Sequence, residues 1–128
     1  MATVGQTVFD AALAELATGN NLVLCSQEPT SYTEANSTYV LARATLTPGD
    51  GNGDYTIAAG DGPAGARKLT LANQTVAGED TGLATHFAII RTGDSTLLHR
   101  NTMQNVGITN GEDQDVNSVR LLEILQPT

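Results

Sequence analysis

The chain has 128 residues, the size of one domain, and a net charge of −8, with 14 acidic against 6 basic side chains. That balance excludes the cationic surface that nucleic acids and anionic membranes require. No apolar run is as long as a membrane span, and a single cysteine excludes an internal disulfide. Thr, Gly and Asn are abundant and aromatic residues make up only 4%, which is typical of a β protein with many turns.

The N-terminal segment predicts one α-helix, over about residues 6–18. Its apolar side chains recur close to the helical period; they are Val8, Phe9, Leu13 and Leu16. Thr3 and Gln6 have the spacing of a capping box, and Gly19 follows as a stop. We expect this helix to pack on a sheet or against a neighbouring subunit.

The rest of the chain predicts about seven short strands. Segments 85–91 and 95–100 flank Thr92-Gly93-Asp94 and predict a hairpin. Further apolar or alternating segments are 22–26, 39–46, 67–71, 106–109 and 118–125. The prediction is a mainly β protein: a single antiparallel β-sandwich or jelly-roll-like domain, residues 1–128, with one N-terminal helix.

A Gly-Asp stretch suggests a calcium loop. Asp50, Asn52 and Asp54 match the first half of a D-x-N-x-D motif, and Asp61 falls at its twelfth position. However, Tyr55 stands where that loop needs glycine, and a strand rather than a helix is predicted to follow. Asp-Gly and Asn-Gly pairs form turns without any ion. We therefore predict a turn, with a calcium site as the alternative.

Two other groups of polar side chains favour non-catalytic roles. The acidic cluster Glu112, Asp113 and Asp115 is predicted to be a solvated loop before the last strand. His86 and His99 fall on opposite arms of the hairpin, facing solvent or an interface, and two histidines are too few for a zinc site.

No motif for catalysis is present. The sequence contains neither a G-x-S-x-G elbow nor a phosphate-binding G-x-x-x-x-G-K loop. Cys25 ends the apolar run 22–25, which predicts a buried, unreactive thiol. The sequence therefore predicts a protein that is not an enzyme and holds no cofactor. Residues 1–4 lack the features of a signal peptide, so synthesis in a cytoplasm is expected.

The second half of the chain resembles a group of small virion proteins of tailed bacteriophages. The resemblance lies in segment 82–90, which contains Thr85-His86-Phe87, in segment 93–98 and in the closing strand 121–125. Tyr39 and Arg43 match a further aromatic and basic pair. The chain departs from the group by lacking a Trp before the hairpin. This departure leaves both locations open, on the head of the virion or on its tail.

The resemblance implies a β-sandwich that binds other virion proteins, made in the bacterial host and carried on the capsid surface. Its leading implication is a head decoration, or cement, protein whose partners are the major capsid protein and copies of itself, as dimer or trimer. A tail, collar or fibre-associated protein is the alternative, and a calcium-dependent carbohydrate-binding β-sandwich is a third hypothesis. Contacts are expected from residues 1–18 and 47–65; the interface candidates are Val8, Phe9, Leu13, Leu16 and Tyr55.

Overall fold

The structure is a computed structural model and describes residues 4–126. One α-helix is followed by nine strands: α1 Gln6–Leu16, β1 Asn21–Cys25, β2 Val40–Thr45, β3 Tyr55–Ala59, β4 Arg67–Leu71, β5 Gln74–Gly78, β6 Gly82–Arg91, β7 Thr96–Ile108, β8 Asp113–Val116 and β9 Val119–Ile124. A π-helical turn, Glu34–Thr38, precedes β2. The predicted fold class is confirmed, since the chain is mainly β, both of its sheets are antiparallel, as in a β-sandwich, and its α-helix is N-terminal.

The chain forms two compact units, each assembled from separate stretches of sequence. The helix unit takes the described residues of Met1–Thr18, Thr47–Asn73 and Asn117–Thr128, and the large-sheet unit takes Gly19–Leu46 and Gln74–Val116. The helix unit holds α1 and a three-stranded sheet in the order β3-β4-β9. The large-sheet unit holds six strands in the order β7-β6-β1-β2-β5-β8. The single domain expected for residues 1–128 stays a prediction.

β1 lies at the centre of the large sheet, and its sequence explains why. All five of its residues are buried, so it suits a strand covered on both faces. Val23 is in register with Ala88 on one neighbour and with Arg43 on the other. Because side chains alternate along a strand, the cluster of Val23, Cys25, Ala88 and Ile90 lies on one face of the sheet.

The segment between β1 and β2 covers that face. Ala35 of the π-helical turn is buried in the same cluster as Val23 and Cys25, and Tyr32 and Tyr39 pack against it. Removing this apolar surface from water stabilises the fold at roughly 25 cal/mol per Å². No pattern in segment 26–39 predicted this turn.

In the helix unit, α1 lies against β3 and β4. The predicted apolar stripe is confirmed in part: Phe9, Leu13 and Leu16 are buried, whereas Val8 is 61% exposed. Arg67 of β4 donates to Asp10 through Nε and Nη2, at 2.8 and 3.3 Å. This bidentate pair fixes the helix along the sheet.

Several predicted boundaries were wrong. α1 ends at Leu16 and its N-cap is Gly5, with no side-chain cap bond, so Gln6 is the first helical residue and cannot complete a capping box. Thr3 lies outside the described residues. Segment 106–109 is not a separate strand, because β7 runs without a break to Ile108.

Candidate interaction surface

The predicted hairpin is confirmed, and it is the longest strand pair of the described chain. β6 and β7 pair antiparallel from Arg91↔Thr96 to Gly82↔Ile108. Arg91 holds the turn by donating to both carboxylate oxygens of Asp94, each at 2.9 Å. That charge-assisted pair lowers the pKa of the Asp94 carboxyl.

The far half of β7 is an open sheet edge. β7 is the outermost strand of the large sheet. Gln104, Asn105 and Gly107 are exposed, and Met103 and Val106 are half-buried. We call residues 103–107 the outer segment. An edge strand presents unpaired backbone donors and acceptors to whatever approaches it.

The two histidines lie on opposite faces of the hairpin and do not meet. His86 is in register with Thr102, and its Nδ1 lies 2.8 Å from the Thr85 hydroxyl. His99 is opposite Ile89, on the face that carries Phe87. His99, expected to face solvent or an interface, is half-buried, and its Nε2 atom is buried without a partner. Burial lowers the pKa of His99 below its usual 6.5.

The Gly-Asp stretch forms turns. Asp50 Oδ1 accepts the Ile57 amide at 2.9 Å, Asp54 Oδ2 accepts the Thr47 amide at 2.7 Å, and Asn52 donates to the Pro48 carbonyl at 2.8 Å. The intervening Gly51 and Gly53 have φ of 81° and 111°, a conformation that favours glycine. These side chains are therefore used to shape the loop.

Asp61, the proposed twelfth ligand, belongs to an ion-pair network on the three-stranded sheet. It accepts from Lys68 Nζ at 2.6 Å and from Arg120 Nη1 at 3.1 Å. Arg120 also pairs with Glu123 at 3.0 Å. The bond from Lys68 lowers the pKa of Asp61, and Arg120 adds to the shift. Asp61 thus serves β4 and β9 rather than a calcium loop.

Four of the five interface candidates are core residues. Phe9, Leu13, Leu16 and Tyr55 are at most 7% exposed. Burial, reinforced by the charge of Asp54, raises the pKa of the Tyr55 hydroxyl well above its usual range. Only Val8 is exposed, and it remains the one candidate that a partner can reach.

The acidic cluster is divided between a strand and a turn: Asp113 and Asp115 lie in β8, and Glu112 lies in the turn before it. β8, Asp113–Val116, pairs with β5 at the opposite edge of the large sheet from β7. Two backbone hydrogen bonds join the end of β5 to the turn before β8. The Gly78 amide donates to the Glu112 carbonyl at 2.8 Å, and the Gly111 amide donates to the Gly78 carbonyl at 2.9 Å. Together Glu79, Asp80, Glu112 and Asp113 form what we call the acidic corner.

Arg43 holds separate parts of the large-sheet unit together, although it belongs to no recognisable catalytic or ligand-binding sequence motif. Its guanidinium donates to Asn36 Oδ1 at 2.8 Å, to the Asn36 carbonyl at 2.7 Å and to Glu79 at 3.1 Å. It thereby ties the covering segment 26–39 and the acidic corner to β2. Its alternation with apolar neighbours in β2 places it on the face covered by that segment. Asn36 lies seven residues before it, whereas Glu79 lies 36 residues after it.

All six basic side chains of the chain are engaged in ion pairs. The pairs are Arg43–Glu79, Arg67–Asp10, Lys68–Asp61, Arg91–Asp94, Arg100–Glu28 and Arg120–Asp61. The acidic excess is therefore the charge that the surface presents to a partner.

Within residues 4–126, no three His, Cys, Asp or Glu side chains come together in a way that could hold a metal ion. None of the described helices is long and apolar enough to span a membrane. No family model, curated protein or solved structure matches the chain.

Proposed function

We propose that the chain is a structural protein of a tailed-bacteriophage virion, and specifically a capsid decoration protein that binds and stabilises the assembled head. The observation that carries the proposal is the β6–β7 hairpin. The residues on which the resemblance to phage virion proteins rests, 82–90 and 93–98, build this hairpin, and it lies at an exposed edge of the large sheet.

The charge distribution supports a protein partner with a basic surface. Every basic side chain is already paired within the chain, whereas the acidic corner carries Asp80, Glu112 and Asp113 as exposed carboxylates. Complementary charge speeds association and selects the partner. A protein that binds only the assembled lattice stabilises it by mass action, in many copies at once.

The carbohydrate-binding alternative receives little support. Its calcium loop would need Asp50, Asn52, Asp54 and Asp61 as ligands, and their side chains serve turns and an ion-pair network. It would also need exposed aromatic rings for sugars to stack on. Tyr55 is buried, and Tyr32 and Tyr39 pack against the core cluster.

Two measurements test the proposal on the virion encoded by the same genome. Quantitative mass spectrometry of purified particles should give a copy number comparable with that of the major capsid protein. A number that matches only the symmetry of the tail would favour the tail or collar alternative instead. Absence of the chain from the particle would refute a virion role.

A binding measurement tests the charge argument. Heads that lack the chain should bind the purified protein, and binding should weaken as salt rises from about 0.05 to 0.5 M because exposed charges are screened. The variant D80N/D113N should bind several-fold less tightly. The variant E15Q/E28Q changes the net charge equally at exposed sites elsewhere in the chain and should bind like the parent. Equal loss in both variants would show that the acidic corner is not the contact.

A further inference from the structure

We propose that the outer segment of β7, residues 103–107, pairs with the same segment of a second copy of this chain, so that two large sheets join edge to edge. The inference does not depend on a virion role, because it concerns the purified protein alone. It rests on the composition of this edge, on an irregularity in its pairing and on one glycine.

β7 lacks two kinds of protection that are found at the other sheet edges, namely short length and a high share of charged side chains. Edge strands are commonly prevented from pairing with strands of other chains by being short or by carrying charged side chains. β8 has four residues, two of which are aspartates, β3 has five residues, and β9 carries Arg120 and Glu123. β7 has thirteen residues with no acidic side chain, no lysine and no proline, and its one fully charged residue, Arg100, pairs with Glu28.

The pairing between β6 and β7 is interrupted within the outer segment. Ala84 is in register with Val106 and His86 with Thr102, so only Thr85 lies opposite residues 103–105. The extra residues of a bulge are left outside the regular ladder. Met103, Gln104 and Asn105 therefore have no one-to-one register partners on β6, and their outward-facing backbone groups lie at the open edge of the sheet.

Gly107 has no role within its own chain that requires glycine. It is in register with Leu83, outside the bulge, and a Cβ atom built on it meets nothing within 4 Å. Its φ is not in the left-handed region. Leu83 beside it is 52% exposed. A glycine inside a strand often marks a place where another backbone comes close, and here it leaves open space next to an exposed apolar side chain.

The chemistry of the outer segment selects a second copy as the occupant. Gln104 and Asn105 carry amides, which donate and accept hydrogen bonds equally. Such a strand is complementary to itself, whereas it offers no attraction to a strongly charged partner. The net charge of −8 opposes the approach of two copies elsewhere on their surfaces, and the acid-free β7 reduces this repulsion at the edge.

Sedimentation velocity over a range of protein and salt concentrations tests the proposal. The parent should shift from the 13.3 kDa chain mass to twice that mass. Dimerisation should tighten as salt screens the like charges, opposite to the weakening expected for binding to a basic partner. Hydrogen exchange should show amides 103–107 protected at high but not at low protein concentration.

Two variants and a control locate the interface. Q104K/N105K places lysines from both copies at the shared edge and should weaken the dimer at least tenfold, about 1.4 kcal/mol. G107I should weaken it as well, and a Cβ atom at this position meets nothing of its own chain within 4 Å. The control Q27K/N117K makes the same charge change at exposed positions and should dimerise like the parent.

Three results would overturn the proposal. The first is a parent protein that stays monomeric at every protein and salt concentration, as it would if the bulge blunts the edge. The second is a dimer that Q104K/N105K and G107I leave intact, and the third is a dimer in which amides 103–107 exchange as in the monomer. None of these results bears on whether the chain is found in virions, so the two proposals fail separately.

Discussion

The rings of Phe87 and His99 lie diagonally across the β6–β7 hairpin, with their centroids 5.6 Å apart and their planes inclined by 42°. The imidazole is half-buried, and its Nε2 atom is buried without a hydrogen-bond partner. Burial disfavours the charged form of histidine. The hairpin that carries the proposed function therefore contains a histidine whose surroundings favour its neutral form.

The first prediction is that His99 makes the protein less stable in acid. Its folded-state pKa lies below the usual 6.5, so as pH falls the unfolded chain takes up the proton first. The stabilisation is complete above pH 6.5 and is lost as pH falls from there through the folded-state pKa. Urea unfolding at about pH 7.5 and pH 5 should show a smaller acid-induced loss for H99L than for the parent. H86L is the control and should keep the parental difference; an unchanged loss in H99L would contradict the assignment.

The second prediction separates the buried and exposed residues of α1. Leu13 is 0% exposed, so L13A should lower the free energy of unfolding by about 2–5 kcal/mol through lost packing and a cavity. Val8 is 61% exposed, and V8A should change it by no more than about 0.5 kcal/mol. Chemical denaturation measures both. Similar losses in the two variants would mean that the helix packs through a different face.

The third prediction concerns the arginine that fastens segment 26–39. R43K keeps the charge but cannot reproduce the fork of bonds to the side chain and carbonyl of Asn36. We expect a loss of about 1.5–3 kcal/mol in the free energy of unfolding, as for other hydrogen bonds to charged groups. R100K is the control. Its pair with Glu28 is exposed on both sides, and its loss should be below about 1 kcal/mol.

The fourth prediction is that Cys25 is inert in the folded protein. It is fully buried, and burial raises its pKa to about 11, with Arg43 opposing the shift only in part. Because the thiolate is the reactive form, a thiol reagent should label the native protein at about pH 8 far more slowly than protein unfolded in urea. Equal labelling rates under the two conditions would show that segment 26–39 opens readily.

The sequence predicted those parts of the fold in which local pattern and final contact agree. The alternation of segment 67–71 identified β4 with both of its bounds, and the apolar run beginning at Leu22 identified β1. The turn-forming Thr92-Gly93-Asp94 identified the hairpin. In β4 the buried side chains, Leu69 and Leu71, are also the ones that show the period.

β5 and β8 were missed because neither strand shows a period of its own. Asp113 and Asp115 are exposed on a short edge, and the strand exists because Asp113–Val116 pairs with Gln74–Gly78, almost forty residues earlier. The same limit applies to the candidate site. His99 contacts Phe87 across the hairpin, and Arg43 acts through Asn36 and Glu79. Non-local pairing of this kind leaves no mark in a local window of sequence.

Because each unit is assembled from separate stretches of the chain, the parts of one unit leave the ribosome at different times. All six strands of the large sheet lie between Asn21 and Val116, whereas α1 is made first and β9, Val119–Ile124, is made last. The helix therefore emerges long before β4 can acquire its second neighbour. A product cut short after Val116 would keep every strand of the large-sheet unit, but it would leave Leu69 and Leu71 of β4 without the adjacent strand. Translation errors near the end of the message thus remove part of one unit and none of the other.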